Sequence, residues 1–223
     1  MGFITKEMME YLDAFAKYED GELGQLQQQA YEEGLPIITK DVVNFLNTML
    51  TMKRPKKILE IGCAVGFSAM LFAQFAPVIT IERFPLMAVL ARKNFDNFNM
   101  GKRIKLIHQC ASIALPDLVA QKKKFDFIFM DCGKGQYSRF FPYLLELLED
   151  GGVICVDDVL QEGTVASDVE TIPRRLRTIH RNLNEFLHTA ASHPRLQSTI
   201  LPIGDGLLVC TKITDKANEE KIP

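Results

Sequence analysis

Apolar positions near the start of the chain recur at helical spacing. Phe3, Met8, Tyr11, Leu12 and Phe15 form one series, and Val42, Val43, Phe45, Leu46, Met49 and Leu50 another. Gly21, Gly34 and Pro36 punctuate them, so residues 4–52 are expected to be helical. From residue 57 the pattern changes to short apolar runs alternating with helical stretches. Strands are predicted at Lys57–Ile61, Pro77–Ile81, Ile104–Ile107, Phe125–Met130 and Gly152–Val156. The stretches between them predict helices at about 68–75, 86–98, 115–122 and 140–148. Repeated strand–helix units in one domain imply a parallel sheet covered on both faces. The alternation breaks near residue 165. A long basic helix is predicted from Ile172 to Ala191, followed by strands at Thr199–Ile203 and Leu207–Thr211. Gly204-Asp205-Gly206 between them predicts a tight hairpin turn. The expected fold class is therefore α/β: a mostly parallel seven-stranded sheet, five strands plus a C-terminal antiparallel pair. One domain is expected over 1–223, with an N-terminal helical cap (1–52) on an α/β core (57–213).

Composition narrows the setting. The 223 residues suffice for one well-buried α/β domain. The chain is 47% apolar and 24% charged, with a formal net charge of −2, which argues against a surface uniformly coated for nucleic acid. Cys63, Cys110, Cys132, Cys155 and Cys210 show no C-x-x-C spacing, as expected of reduced thiols. The N-terminus lacks the basic head and apolar core of a signal peptide, and no apolar run approaches a membrane span. A cytoplasmic protein without membrane attachment is expected.

The candidate chemistry lies where the strands end. Two apolar runs terminate in carboxylates, Asp131 in one and Asp157-Asp158 in the other. Acidic side chains at neighbouring strand tips can hold a hard divalent cation in the ligand crevice of an open sheet. Lys134, three residues beyond Asp131, adds an amine where a hydroxyl could lose its proton. Glu60-Ile61-Gly62-Cys63-Ala64-Val65-Gly66 follows the first strand and opens a helix, and Glu82 ends the second strand 20 residues after Gly62. Glycines there let backbone approach a ligand, and an acid at that distance suits ribose hydroxyls. A dinucleotide fingerprint needs glycine where Ala64 stands, which disfavours an NAD-dependent oxidoreductase.

E-x-G-x-x-x-G resembles motif I of the class I S-adenosylmethionine-dependent methyltransferases, whose sheet is Rossmann-like. With Glu82, Asp131-x-x-Lys134 and Asp157-Asp158, the chain resembles the metal-dependent O-methyltransferases of the catechol and caffeoyl-coenzyme A type. A narrower resemblance is to the bacterial tRNA 5-hydroxyuridine methyltransferases. It rests on Asp131 to Tyr137, Asp157-Asp158-Val159-Leu160-x-x-Gly163, Pro173-Arg174-Arg175 and Leu201 to Leu207. That resemblance implies transfer of a methyl group from S-adenosylmethionine to the 5-hydroxyl of the wobble uridine, giving 5-methoxyuridine. It implies Mg²⁺ or Mn²⁺ held by Asp131, Asp157 and Asp158, with Lys134 as general base or as a charge steadying the oxyanion. The cofactor pocket would comprise Ile38, Glu60, Gly62, Gly66, Ser68, Glu82, Cys110, Ala111 and Asp131. In that pocket Glu82 would meet the ribose and Ser68 the methionine carboxylate. The family pattern has Asp-Asn where this chain has Asp157-Asp158, so a third carboxylate is a departure. The family also implies a homodimer.

The acceptor is read from the basic helix. Residues 171–200 hold five arginines (174, 175, 177, 181 and 195), three histidines and one acid, Glu185. Such a patch suits a phosphate backbone, so Arg174, Arg175 and Arg177 are expected to contact the anticodon region of tRNA. His180, His188 and His193 lack metal-ligand spacing. The alternatives are a small catechol-like or polyphenol acceptor for the same chemistry, and a noncatalytic RNA-binding protein. The second of these has no need of Asp131, Lys134 and Glu82.

Overall fold

The computed structural model describes residues 5–214 and carries eight α-helices and seven strands among them. Phe3, and the side chain of Met9, lie outside what is described. The N-terminal segment forms α1 (Lys6–Asp13), α2 (Gly21–Glu32) and α3 (Lys40–Lys53). Then come β1 (Ile58–Ile61), α4 (Phe67–Ala73), β2 (Val78–Glu82), α5 (Pro85–Asn97), β3 (Ile104–His108), α6 (Ala111–Ala120), β4 (Phe125–Met130), α7 (Tyr137–Leu147) and β5 (Leu148–Val156). The chain closes with α8 (Arg177–Ser192), β6 (Leu196–Leu201) and β7 (Leu207–Lys212).

All seven strands share one sheet in the order β3-β2-β1-β4-β5-β7-β6. The first five are parallel, and β7 pairs antiparallel to both β5 and β6. The expected α/β architecture is therefore the observed one. The central strands are apolar on both faces because helices cover both. Ile128 and Met130 of β4 enter the cluster that holds Phe140 and Leu144 of α7 and Leu183 and Phe186 of α8. Phe127 and Phe129 enter the other cluster, with Val42, Leu46 and Leu50 of α3 and Phe72 of α4. The helix α3 is thus part of the cover of the sheet.

Several boundaries differ from the sequence expectation. The helix expected at about 115–122 begins at Ala111 and runs through Pro116, because the apolar stretch after β3 packs from its first turn. The basic helix begins at Arg177, after a separate 3-10 turn over Arg174–Leu176. The final hairpin turns tightly at Gly204-Asp205, as expected, with the Gly206 N–H donating to the Ile203 carbonyl at 2.9 Å, but its strands end sooner than the turn. Its strands pair to Leu201–Leu207, leaving residues 202–206 as a five-residue loop that carries Asp205 into the site.

Candidate active site at the strand tips

The strand order reverses between β1 and β4, each of which has its chain neighbours on its far side. Ligands of open α/β sheets bind outside the carboxyl ends at such a point. The tips are held level by the parallel ladder. The Gly62 N–H donates to the Ile81 carbonyl at 2.9 Å, that of Asp131 to Ile61 at 2.9 Å, and that of Asp157 to Met130 at 3.0 Å. Gly62 has φ +90°, and a Cβ on it would overlap the carbonyl oxygen of Asp131. Gly66 (φ +88°) caps α4, where a Cβ would strike the Phe95 ring. Both glycines are demanded by close approach. Ala64 between them also takes a left-handed backbone, φ +43°.

The carboxylate of Glu82 reaches into this loop. Its Oε2 accepts from the N–H groups of Cys63 (3.3 Å) and Ala64 (3.1 Å), and Oε1 accepts from Phe84 N–H at 2.7 Å. Gln109 N–H donates to the Glu82 carbonyl at 3.0 Å, bringing the end of β3, Cys110 and Ala111 alongside. The thiol of Cys110 is pushed below its usual range, chiefly by the Ser112 hydroxyl, which donates to it at 3.1 Å.

Glu60 is fully buried rather than standing at an exposed strand end. Thr80 donates to its Oε2, while Oε1 has no hydrogen-bond partner. Burial raises its pKa to about 7, the Ser68 and Thr80 hydroxyls opposing and the charge on Glu82 adding. This buried carboxyl oxygen, next to Ser68 at the start of α4, can accept a hydrogen bond from a ligand donor.

On the other side of the crevice, Asp131, Asp157 and Asp158 line a cavity of about 130 Å³ with Ile38, Thr39 and Asp205. Burial first, then repulsion from Asp158 and Glu60, raises Asp131 to about 7. Burial and the Asp131 and Asp158 charges raise Asp157 to about 8. Among the described residues Asp131 and Asp157 make no ion pair, and the hard oxygen donors of the three aspartates fit a divalent cation in chemistry. Their present arrangement is not a coordination shell: among the described residues no three acidic, histidine or cysteine side chains are disposed to hold a metal. Asp158 instead pairs with Lys134 at 3.3 Å, and its backbone is left-handed, φ +58°.

Lys134 sits in a 3-10 turn, Lys134–Gln136, between β4 and α7. Its ammonium lies 3.3 Å from Asp158 and 3.2 Å from Asp205. Burial lowers its pKa, but the two carboxylates outweigh burial and raise it overall. The two carboxylates thus favour the protonated form of Lys134.

Two site residues escaped the sequence reading. Asp205 looked like a turn residue, yet it holds Lys134 and accepts from the Glu162 N–H. Asp41 accepts from the Gly204 N–H at 2.8 Å and so ties the loop to the start of α3, beside Ile38. No local spacing signals contacts across 70 or 160 residues. The arginines divide as well. Arg174 and Arg175 are exposed, whereas Arg177 donates to the carbonyls of Ile172 (3.4 Å) and Glu170 (3.1 Å), bracing the turn before α8. Arg177 is thus spent within the protein. The histidines carry no ligand cluster either, His180 lying 3.1 Å from the Ser167 carbonyl.

Comparison with known proteins gives one consistent answer. A family model described as O-methyltransferase matches residues 14–213. Catechol O-methyltransferase from Niastella koreensis is 30% identical over 177 residues, covering 76% of this chain and 80% of that protein. Caffeoyl-CoA O-methyltransferase 1 from Arabidopsis thaliana is 29% identical over 188 residues, covering 78% and 70%. Among solved structures, an O-methyltransferase from Bacillus cereus in complex with SAH superposes with a TM-score of 0.78 at 26% identity, over 91% of this chain and 96% of that one.

Proposed function

The chain belongs to the O-methyltransferase family, and on that premise we propose that it moves the methyl group of S-adenosylmethionine to the 5-hydroxyl of the wobble uridine in tRNA. The observation that carries the methyl-transfer reading is the junction of Gly62 with Asp131, which sets a cofactor loop against a carboxylate pocket. Glu82 and the loop amides it gathers fit the ribose. The free oxygen of Glu60 fits a donor on the cofactor, and Ser68 stands at the helix start beside it. Ile38, Gly66, Cys110 and Ala111 would close the pocket.

Asp131, Asp157 and Asp158 would hold Mg²⁺ or Mn²⁺, and the ion when bound would lower the pKa of an acceptor hydroxyl. The chain's own residues then have two tasks. Lys134 places a positive charge where the acceptor oxygen becomes negative, with Asp205 fixing its position. The strand tips hold acceptor and sulfonium in line, and such positioning can supply most of the acceleration. Removing divalent ions with EDTA is expected to abolish turnover, with recovery on adding Mg²⁺. Full activity in EDTA would defeat the metal assignment.

The RNA acceptor is supported by exposed Arg174, Arg175 and Arg181, carried by α8 and the turn before it, since α8 packs on the Lys134 turn. The names of the relatives support a second reading, a small catechol-like acceptor. Nucleoside analysis of tRNA from a deletion strain separates them. The first predicts that 5-methoxyuridine disappears and 5-hydroxyuridine accumulates; an unchanged profile favours the second. A homodimer belongs to the same proposal. Exposed Tyr11, Leu12 and Phe15 support it, and light scattering tests it. A cytoplasmic site of action belongs to the same proposal; no helix among the described residues is long and apolar enough to cross a membrane.

A further inference from the structure

A cavity of about 360 Å³ opens at the amino ends of the parallel strands, on the edge of the sheet opposite the carboxylate pocket. Its floor is apolar, formed by buried Val78, Ile104 and Phe125. Its rim is cationic in three groups: Lys102, Arg103 and Lys105 at β3, Lys56 and Lys57 before β1, and Lys123 and Lys124 before β4. All seven are exposed, and no acidic side chain lines the cavity. Seven of the chain's 26 lysines and arginines thus gather at one mouth of a protein whose net charge is −2. Lys124 donates to the Glu146 carbonyl at 2.6 Å; among the described residues none of the other six is in an ion pair. Of the acids nearby, Asp126 is occupied by the N–H groups of Lys56 and Lys57 (2.8–3.0 Å), and Asp96 stands beside Gly101.

The spacing identifies the class of ligand. The strands bordering the cleft run in the order β3-β2-β1-β4. With neighbours about 4.8 Å apart, the cationic groups form a row roughly 14 Å long. That exceeds the reach of one phosphate and suits several in succession. The exposed ammonium groups favour solvated phosphodiesters, where release of condensed counterions drives binding. We infer that this amino-end cleft is a second RNA-docking site, holding a stretch of phosphate backbone away from the reacting nucleotide. Phe125, which opens β4 at the cleft, and Asp131, just past its other end at the pocket, lie six residues apart, about 20 Å. An RNA with one loop at Asp131 can lay another part of its backbone along this edge. The identity of the polyanion rests on the tRNA reading above.

The test uses the full-length enzyme and a fluorescein-labelled, unmodified tRNA transcript, with binding followed by anisotropy across a salt series. Lys102→Ala/Arg103→Ala/Lys105→Ala is expected to weaken binding by about tenfold or more near 150 mM salt and to flatten the log–log salt dependence by about 2. Lys56→Gln/Lys123→Gln, in the segments before β1 and β4, should act in the same direction. Methyl transfer to free 5-hydroxyuridine or catechol, and the melting temperature, should stay as in wild type. Unchanged tRNA affinity and salt slope in both variants would overturn the docking site, as would a wild-type protein that binds no transcript. The two ideas fail separately. Binding through these cations without tRNA methylation sinks the substrate and leaves the cleft. Methylation indifferent to these cations does the reverse.

Discussion

Gly62 faces Asp131 so closely that no side chain could stand between them. The loop expected to hold the cofactor and the carboxylate expected to hold the acceptor's metal are therefore one mechanical unit. Gly62→Ala should cost about 1–3 kcal/mol, since φ +90° disfavours any Cβ and the Asp131 backbone would have to move. Affinity for S-adenosylhomocysteine, measured by calorimetry, should fall at least tenfold. Wild-type affinity in this variant would show that the loop and the strand tip move independently.

Glu60 makes stability depend on pH. Its pKa rises from 4.5 to about 7 on folding, so the protonated form is favoured in the native state. The stability advantage is complete below pH 4.5 and is lost as pH climbs through 7, a change on the order of 3 kcal/mol. Glu60→Gln should flatten thermal melting profiles over that window. Asp131 and Asp157 shift in the same direction, so some slope should remain. Superimposable profiles for variant and wild type would remove Glu60 as a cause.

Lys134 and Asp205 should act on the chemical step. Lys134→Met is expected to lower kcat by about 10²-fold or more, as loss of an oxyanion donor does elsewhere, with cofactor affinity within about twofold. Asp205→Asn keeps an oxygen for the Glu162 N–H but drops the charge that holds the ammonium. Its kcat should fall less, by about tenfold. An unaffected kcat in Lys134→Met would take that residue out of the reaction.

The arginines should separate into two kinds. Arg174→Glu/Arg175→Glu should raise the KM for tRNA strongly while leaving cofactor binding intact, because both side chains are exposed. Arg177→Ala should instead lower the melting temperature, since its guanidinium braces the carbonyls of Glu170 and Ile172. A KM effect confined to Arg177→Ala would reverse the assignment.

Local pattern was enough for the sheet and for the tips of its strands. Continuous apolar runs, the Gly62–Gly66 turn and the acids at 82, 131 and 157 are written over stretches of a few residues. A parallel sheet covered on both faces can satisfy them in few ways. Element edges were less legible. The start of α6 at Ala111 and the 3-10 turn before α8 depend on packing rather than periodicity.

The electrostatic character of the site was settled by distance through space. Lys134 reads as a lone amine until Asp205, 71 residues away, comes within 3.2 Å of it and favours its charged form. Arg177 reads like its neighbours until its guanidinium is seen to turn inward. The lysines at 56, 57, 102, 105, 123 and 124 are unremarkable one by one, and become a row because the strand order sets their segments side by side. Backbone preference and burial act over neighbouring residues, so the chain alone declares them. Charge acts over a few ångströms of space, and only the completed fold decides which charges share them.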